Sequence, residues 1–283
     1  MKEPPPCRLS VILARAAPVG VIFRRGPTNR VQLIRWNTDN DSFEHGQWFH
    51  GVMEADRSDL SPSGNRLIYF AKGHKRRGVA EGYADTWTAV SRPPYWTALA
   101  LWPLGNTWFG GGLFADEGTV LLSHPGCAAE HHPKHPPKGL EVISAPRTFF
   151  QGGLLAERCR RDGWVLREEI RGRGMAGTYP EEWERAIPKS QYSLLLLDQH
   201  SSRWDQRPAH YAVVRAKTRE ELILFEADWA DLDGKGRLVC AREGKMWRVR
   251  LPTRGRSVDF REIADFNGAR PYRMAAPEWA TRW

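Results

Sequence analysis

Short apolar runs alternate with polar turns along almost the whole chain, and the apolar positions recur every second residue. Val31-Gln32-Leu33-Ile34-Arg35-Trp36 shows this most plainly. Successive side chains of a strand point to opposite faces, so the spacing predicts a half-buried β-strand. Val19–Arg25 precedes it across Gly26-Pro27-Thr28-Asn29, whose proline and asparagine suit a tight turn. Further extended pieces are predicted at 43–49, 87–90, 95–102, 140–143, 192–197, 211–215 and 222–225. The strands 238–241 and 246–249 flank Arg242-Glu243-Gly244-Lys245, a hairpin turn. Only Pro180-Glu181-Glu182-Trp183-Glu184-Arg185-Ala186-Ile187 reads as a short helix, because its acidic first turn complements the helix dipole.

One turn-to-strand phrase is used more than once. Asp59-Leu60-Ser61-Pro62-Ser63-Gly64-Asn65-Arg66-Leu67-Ile68-Tyr69-Phe70 runs from a polar turn straight into an apolar strand. Asp231-Leu232-Asp233-Gly234-Lys235-Gly236-Arg237-Leu238 repeats the idea. Weaker echoes are the 113–122 hairpin and Arg161-Asp162-Gly163-Trp164-Val165-Leu166. Recurring turn-strand units predict a β-propeller of about four to six blades at four strands each. The turn glycines 64, 118, 163 and 236 are unevenly spaced, which predicts an irregular one.

The phrase resembles the WD40-like repeat of TolB-type propellers, whose blades carry Asp-x-Ser-Pro-Asp-Gly-x-x-Leu-x-Phe. Asp59, Ser61, Pro62, Gly64, Leu67 and Tyr69-Phe70 match it, with Ser63 where aspartate usually stands. The second copy keeps Asp231, Gly236 and Leu238 without the Ser-Pro. The chain also resembles uncharacterised bacterial proteins. The resemblance implies a fold, because TolB-type propellers include binding platforms, periplasmic proteins and peptidase accessory domains. The expected architecture is a single all-β domain over residues 1–283, a propeller of about five blades whose terminal segments meet to close the ring. A Pro/His-rich loop at 126–139 and an Arg/Gly-rich, flexible loop at 168–178 interrupt it.

Composition sharpens this picture. Thirteen tryptophans suit the gaps between packed sheets. No run approaches the roughly 18–20 apolar residues of a membrane span, and Met1-Lys2-Glu3-Pro4-Pro5-Pro6 lacks the apolar stretch of a secretory signal. Cys7, Cys127, Cys159 and Cys240 form no CxxC pair and read as reduced thiols of a cytoplasmic protein. The formal charge of +9 gathers at Lys75-Arg76-Arg77, at Arg158, Arg160 and Arg161, and at Arg167, Arg171 and Arg173. These clusters read as solvated loops whose arginine stems cover tryptophans; nucleic-acid binding is the alternative use of them.

Candidate chemistry is sparse. A Gly-x-Ser-x-Gly elbow is absent, and Gly110-Gly111-Gly112 precedes a strand where a phosphate-cradling loop would precede a helix. That triplet reads as a close approach of one backbone to another. Cys127, His131 and His135 have residue types that could wrap a zinc ion, although Pro133, Pro136 and Pro137 forbid a regular helix there. Carboxylates gather at Glu226, Asp228, Asp231 and Asp233 and at Asp56 and Asp59, where turn chemistry accounts for most of them. The aromatic phrases 43–51 and 91–96 remain, and inter-sheet packing is their plainest use. Their functional use would place Trp48, Arg92, Tyr95, Trp96 and Trp108 on one mouth of the propeller, where loops converge.

The reading is a non-enzymatic, cytoplasmic, bacterial scaffold that binds another protein through one face, with no membrane partner and no cofactor. The alternatives are a hydrolase or metal-dependent enzyme using the carboxylates or the His-rich loop, and a basic nucleic-acid accessory protein.

Overall fold

The computed structural model describes residues 5–26, 29–73, 82–124, 130–145, 153–169, 181–198, 208–253, 255 and 257–283. The fold is all-β, with a single α-helix among the described residues, of the irregular propeller class that the turn phrases predict. Contacts divide it into two compact units, one of Met1–Ser10 with Cys159–Gly268 and one of Val11–Arg158 with Ala269–Trp283.

A seven-stranded sheet, in the larger unit from Val11 onward, runs β1 (Arg8–Leu13), β2 (Val19–Arg25), β3 (Arg30–Asn37), β4 (Ser42–Leu60), β5 (Leu67–Gly73), β6 (Thr86–Ser91) and β7 (Ala100–Pro103), hydrogen-bonded in that order. At 19 residues β4 is far longer than an ordinary strand. Its first half pairs with β3 and its second with β5, so two four-stranded meanders share one strand. Register shifts mark where it bends: one opposite Gln32–Ile34, another between Glu54 and Asp59. β8 (Gly112–Phe114) and β9 (Thr119–Leu122) form the predicted hairpin, and β10 (Glu141–Ser144) joins β9 in parallel. The core of this unit gathers Val21, Phe23, Leu33, Met53, Leu67, Tyr69 and Trp96.

The smaller unit holds a five-stranded meander of β11 (Val165–Glu169), β12 (Glu181–Ala186), β13 (Tyr192–Asp198), β14 (Ala209–Arg215) and β15 (Glu221–Ala227). A four-stranded meander of β16 (Trp229–Leu232), β17 (Leu238–Arg242), β18 (Lys245–Arg250) and β19 (Asp259–Asp265) follows. Counting the meanders that share β4 separately, the described residues make about five blade-like units, none closed on itself. The predicted turn between β17 and β18 has Glu243 and Gly244 at φ +55° and +74°, the left-handed pair of a type I′ hairpin. N-terminal residues fasten to this last sheet. Leu9 N–H and Arg8 Nε donate to the two oxygens of Asp228, and Cys7 N–H to Asn267 Oδ1.

Three expectations are corrected. The segment expected to be helical is β12: Trp183 is fully buried, while Glu182 and Glu184 accept from Arg219 on the loop after β14. The α-helix α1 (Gly153–Arg161) lies where no strand or helix was expected. It explains the second of the weaker echoes of the turn phrase, at 161–166, which is no hairpin. Gly163 N–H returns to Arg160 O and Trp164 N–H to Cys159 O, with Gly163 at φ +91°. That pair of bonds is a Schellman cap, so Asp162-Gly163 ends a helix. The predicted strand 95–102 shrinks to Ala100–Pro103, because Tyr95 and Trp96 leave the ladder for side-chain contacts described below.

The strong turn phrase works as a bolt between hairpins. Asp59 is wholly buried and accepts Phe114 N–H from β8 at 2.8 Å. Glu117, in the β8–β9 turn, takes Ser61 Oγ, Ser63 Oγ and Ser63 N–H at 2.7–3.1 Å. Burial raises the Glu117 carboxyl pKa, but the Ser63 and Ser61 bonds and the Arg66 charge outweigh it and hold the group below its ordinary range. A carboxylate whose folded pKa is depressed stabilises the fold above its unfolded value and loses that contribution as pH falls through the folded one. Glu117→Ala is therefore expected to cost about 1–3 kcal/mol at pH 7. In urea titrations across pH, the gap from wild type should close below the ordinary carboxylate range.

Candidate functional site

The structure brings the two aromatic phrases together. At the first bend of β4 an extra residue is inserted opposite β3, at Gly46-Gln47. Gly46 has no room for a side chain, since a Cβ there would lie 1.9 Å from the carbonyl oxygen of Pro94. This lets the 92–96 turn settle on the strand. Gln47 N–H donates to Pro94 O at 3.1 Å, Trp96 N–H to Gln47 Oε1 at 2.8 Å, and Trp96 Nε1–H to Gln47 O at 3.0 Å.

Trp96 is thereby a core residue. Its ring meets Tyr69 edge-on at 5.1 Å and lies beside Phe23 and Phe49, while Tyr69 Oη donates to Trp96 O at 2.7 Å. Burial drives the Tyr69 hydroxyl pKa far above its ordinary value. Trp48 is half-buried beneath the buried Arg24 guanidinium, 5.1 Å from the ring. Its indole N–H and the Oε1 of the paired Gln32 are buried without a partner among the described residues.

Arg92 and Tyr95 are already engaged by residues 269–283. Gln47 Nε2 donates to Met274 O at 3.0 Å and Arg92 Nε to Arg282 O at 3.1 Å, while Tyr95 meets the Trp279 ring edge-on at 5.6 Å. Burial first, then the neighbouring Glu44, raises the Tyr95 hydroxyl pKa.

Trp108 is placed differently. It is 67% exposed, the most exposed of the large apolar side chains described. Its loop is nonetheless held by several hydrogen bonds. Asn106 Oδ1 accepts Trp108 N–H at 3.0 Å and Phe109 N–H at 3.3 Å. Arg57, at the second bend of β4, donates to the carbonyls of Thr107, Trp108 and Phe109 at 2.9–3.3 Å. Its guanidinium also pairs with Glu54 and lies over Phe70. Behind the loop the glycine triplet makes the close approach expected of it: a Cβ at Gly111 would stand 2.1 Å from Arg57 O, at φ +85°. Arg57 and Asn106 escaped sequence reasoning. Asn106 two residues before Trp108 is an Asx-turn spacing that would have pointed to it; nothing local points to Arg57.

The His-rich loop is tied down by its histidines. His132, 2% exposed, stacks on Tyr83 with ring centroids 4.0 Å apart. His135 Nδ1 lies 3.1 Å from Ala98 O, a contact only an N–H can satisfy, so Nε2 accepts the Tyr83 hydroxyl at 3.0 Å. His131 is exposed, and Cys127 lies outside the described residues. Among the described residues no group of three or more His, Cys, Asp or Glu side chains is placed to hold a metal ion. Both His135 nitrogens are engaged, so ligation there would first break one of these bonds.

Burial, then the neighbouring His132, lowers the His135 pKa from 6.5. The folded protein thus takes up this proton less readily than the unfolded chain. The penalty is absent above the unfolded value of 6.5 and grows as pH falls through it toward the folded one. The urea midpoint is expected to drop between pH 7.5 and 5, and His135→Gln to drop less.

Carboxylates of the second turn phrase each have a structural partner. Asp228 holds Arg8 and Leu9; Asp231 holds Arg185, Trp164 Nε1 and Leu232 N–H; Asp233 holds Arg237 and Lys235 N–H. Burial raises the Asp228 and Asp231 pKa values against the lowering effect of their arginines. The described arginines of the basic clusters are used likewise. Arg158 reaches Ala55 O and Ser58 O, Arg160 covers the Trp183 ring, Arg161 pairs with Asp162 and Arg167 with Glu184. Residues 75–77, Arg171 and Arg173 lie outside the described residues. Among the described residues, no helix is long and apolar enough to cross a membrane.

No family model and no curated protein matches the sequence. Among solved structures, the chain is similar to the β-propeller domain of the Trilobed protease from Pyrococcus furiosus, at 9% identity and a TM-score of 0.35, covering 93% of this chain and 100% of that one. It is also similar to an uncharacterized protein from Listeria monocytogenes, at 7% identity and a TM-score of 0.34, covering 93% and 85%. A third is the AtxE2 isopeptidase with Astexin3-dC4 bound, at 12% identity and a TM-score of 0.30, covering 90% and 46%. At such scores the fold assignment rests on the sheets themselves, and no activity is inferred from these neighbours.

Proposed function

We propose that the protein is a non-enzymatic scaffold that binds another protein through the Trp108 loop. The observation that carries this is a tryptophan two-thirds exposed on a loop whose three carbonyls are clamped by one guanidinium. Tryptophan is the side chain most enriched among residues that dominate binding energy, and a loop ordered before binding pays less entropy on association. An exposed tryptophan with no binding role would gain nothing from such bracing. Cys240 is a buried free thiol, which suits a cytoplasmic setting for the scaffold.

The test is paired affinity capture from native cells at near-physiological salt, with the wild-type chain and Trp108→Ala as baits. One dominant protein, reduced at least tenfold on the variant, is the expected result. Equal recovery on both baits would remove the Trp108 loop from the account.

A further inference from the structure

The surface formed by Gln47, Arg66, Arg92 and Tyr95 is covered by a segment of the chain that has the features of a bound peptide. Residues 269–283 have no regular structure beyond a single 3-10 turn at Glu278–Ala280. They are held by side chains of the body reaching their backbone carbonyls, at Met274 and Arg282, and by two aromatic contacts four residues apart. Trp279 lies edge-on to Tyr95; Trp283 sits under the Arg66 guanidinium at 5.7 Å and donates Nε1–H to Pro136 O at 3.1 Å.

The hold is shallow. Ala280 is the only fully buried residue of the fifteen, while Tyr272 and Trp279 are 46% and 55% exposed. A handful of such contacts must offset the conformational entropy of the whole segment, so it should open at much lower cost than the sheets. Donors that read main-chain carbonyls, with rings that read aromatic side chains, recognise a class of extended peptide. Trp283 also packs against the buried cluster that contains Trp102, Phe114 and Val120, which gives the second aromatic position an apolar seat.

We infer that residues 269–283 are an exchangeable resident ligand, and that the surface beneath takes an extended segment of a partner protein with two aromatic side chains four residues apart. This surface is separate from the Trp108 proposal, and either can fail without the other.

The test leaves the protein unaltered. Hydrogen exchange is followed in the full chain, alone and with a synthetic peptide of residues 269–283 at millimolar excess, resolved by isotope label. Amides of 272–283 are expected to exchange at least 100-fold faster than those of β3 and β5. The free peptide, by occupying the opened surface, should speed their exchange several-fold further. A peptide carrying Trp279→Ala and Trp283→Ala should have no effect. Protection of 272–283 equal to that of the sheets, or equal action of the two peptides, would overturn the inference. So would protection that rises with protein concentration, since a second copy would then be the occupant.

Discussion

Trp96→Ala is expected to lower stability by about 3–5 kcal/mol, the cost of deleting a large buried aromatic side chain. For a domain whose total is on the order of 5–15 kcal/mol, that is enough to leave much of the chain unfolded. The cause is visible around the indole. Phe23, Phe49 and Tyr69 lose their common neighbour, and Gln47 O loses its N–H donor. Trp108→Ala, though it deletes the same side chain, should change stability by less than about 0.5 kcal/mol, because the ring is in solvent and its loop is held through backbone atoms. Urea midpoints of the two variants side by side check the contrast. A stable Trp96→Ala protein would contradict the packing described for the 91–96 phrase.

The second large effect is expected at Gly46. A methyl group there meets Pro94 O at 1.9 Å and Pro94 Cβ at 2.4 Å, and both belong to a turn that cannot retreat without breaking its bonds to Gln47. Overpacking and the loss of those buried hydrogen bonds together put Gly46→Ala at about 3–5 kcal/mol. Gly268→Ala, with nothing within 4 Å, serves as the control and should stay within about 0.5 kcal/mol. Denaturant unfolding of both variants at pH 7 reads the difference.

Much of the fold was legible because strands announce themselves locally. Val19–Arg25 is read to the residue, and the 113–122 hairpin and the Glu243-Gly244 turn need only alternation and left-handed turn residues. The misreadings arose where tertiary contacts decide. Glu182 and Glu184 look like the acidic start of a helix until Arg167 on β11 and Arg219 on the loop after β14 supply partners. Asp162-Gly163 reads equally as hairpin turn or helix cap until α1 is known. β4 runs on past two register shifts, one against β3 and one against β5, which no local pattern marks.

The site was legible in part for the same reason. The aromatic phrases do meet, yet which tryptophan is buried and which exposed depends on Gln47 and Arg57, neither conspicuous in sequence. Arg92 and Tyr95 were read as surface residues without their cover, because residues 269–283 carry no strand or helix pattern of their own. A carbonyl-reading contact between Arg92 and a position 190 residues away leaves no periodic trace.

The most direct measurement of the central claim is oxidative footprinting of the tryptophans, on the purified chain and on the same chain in native-cell lysate. Trp108 is expected to be among the fastest to oxidise in isolation and to be protected at least fivefold in lysate, with Trp96 slow in both. Trp108 oxidising at the same rate in lysate as in buffer would contradict a scaffold that binds through this loop.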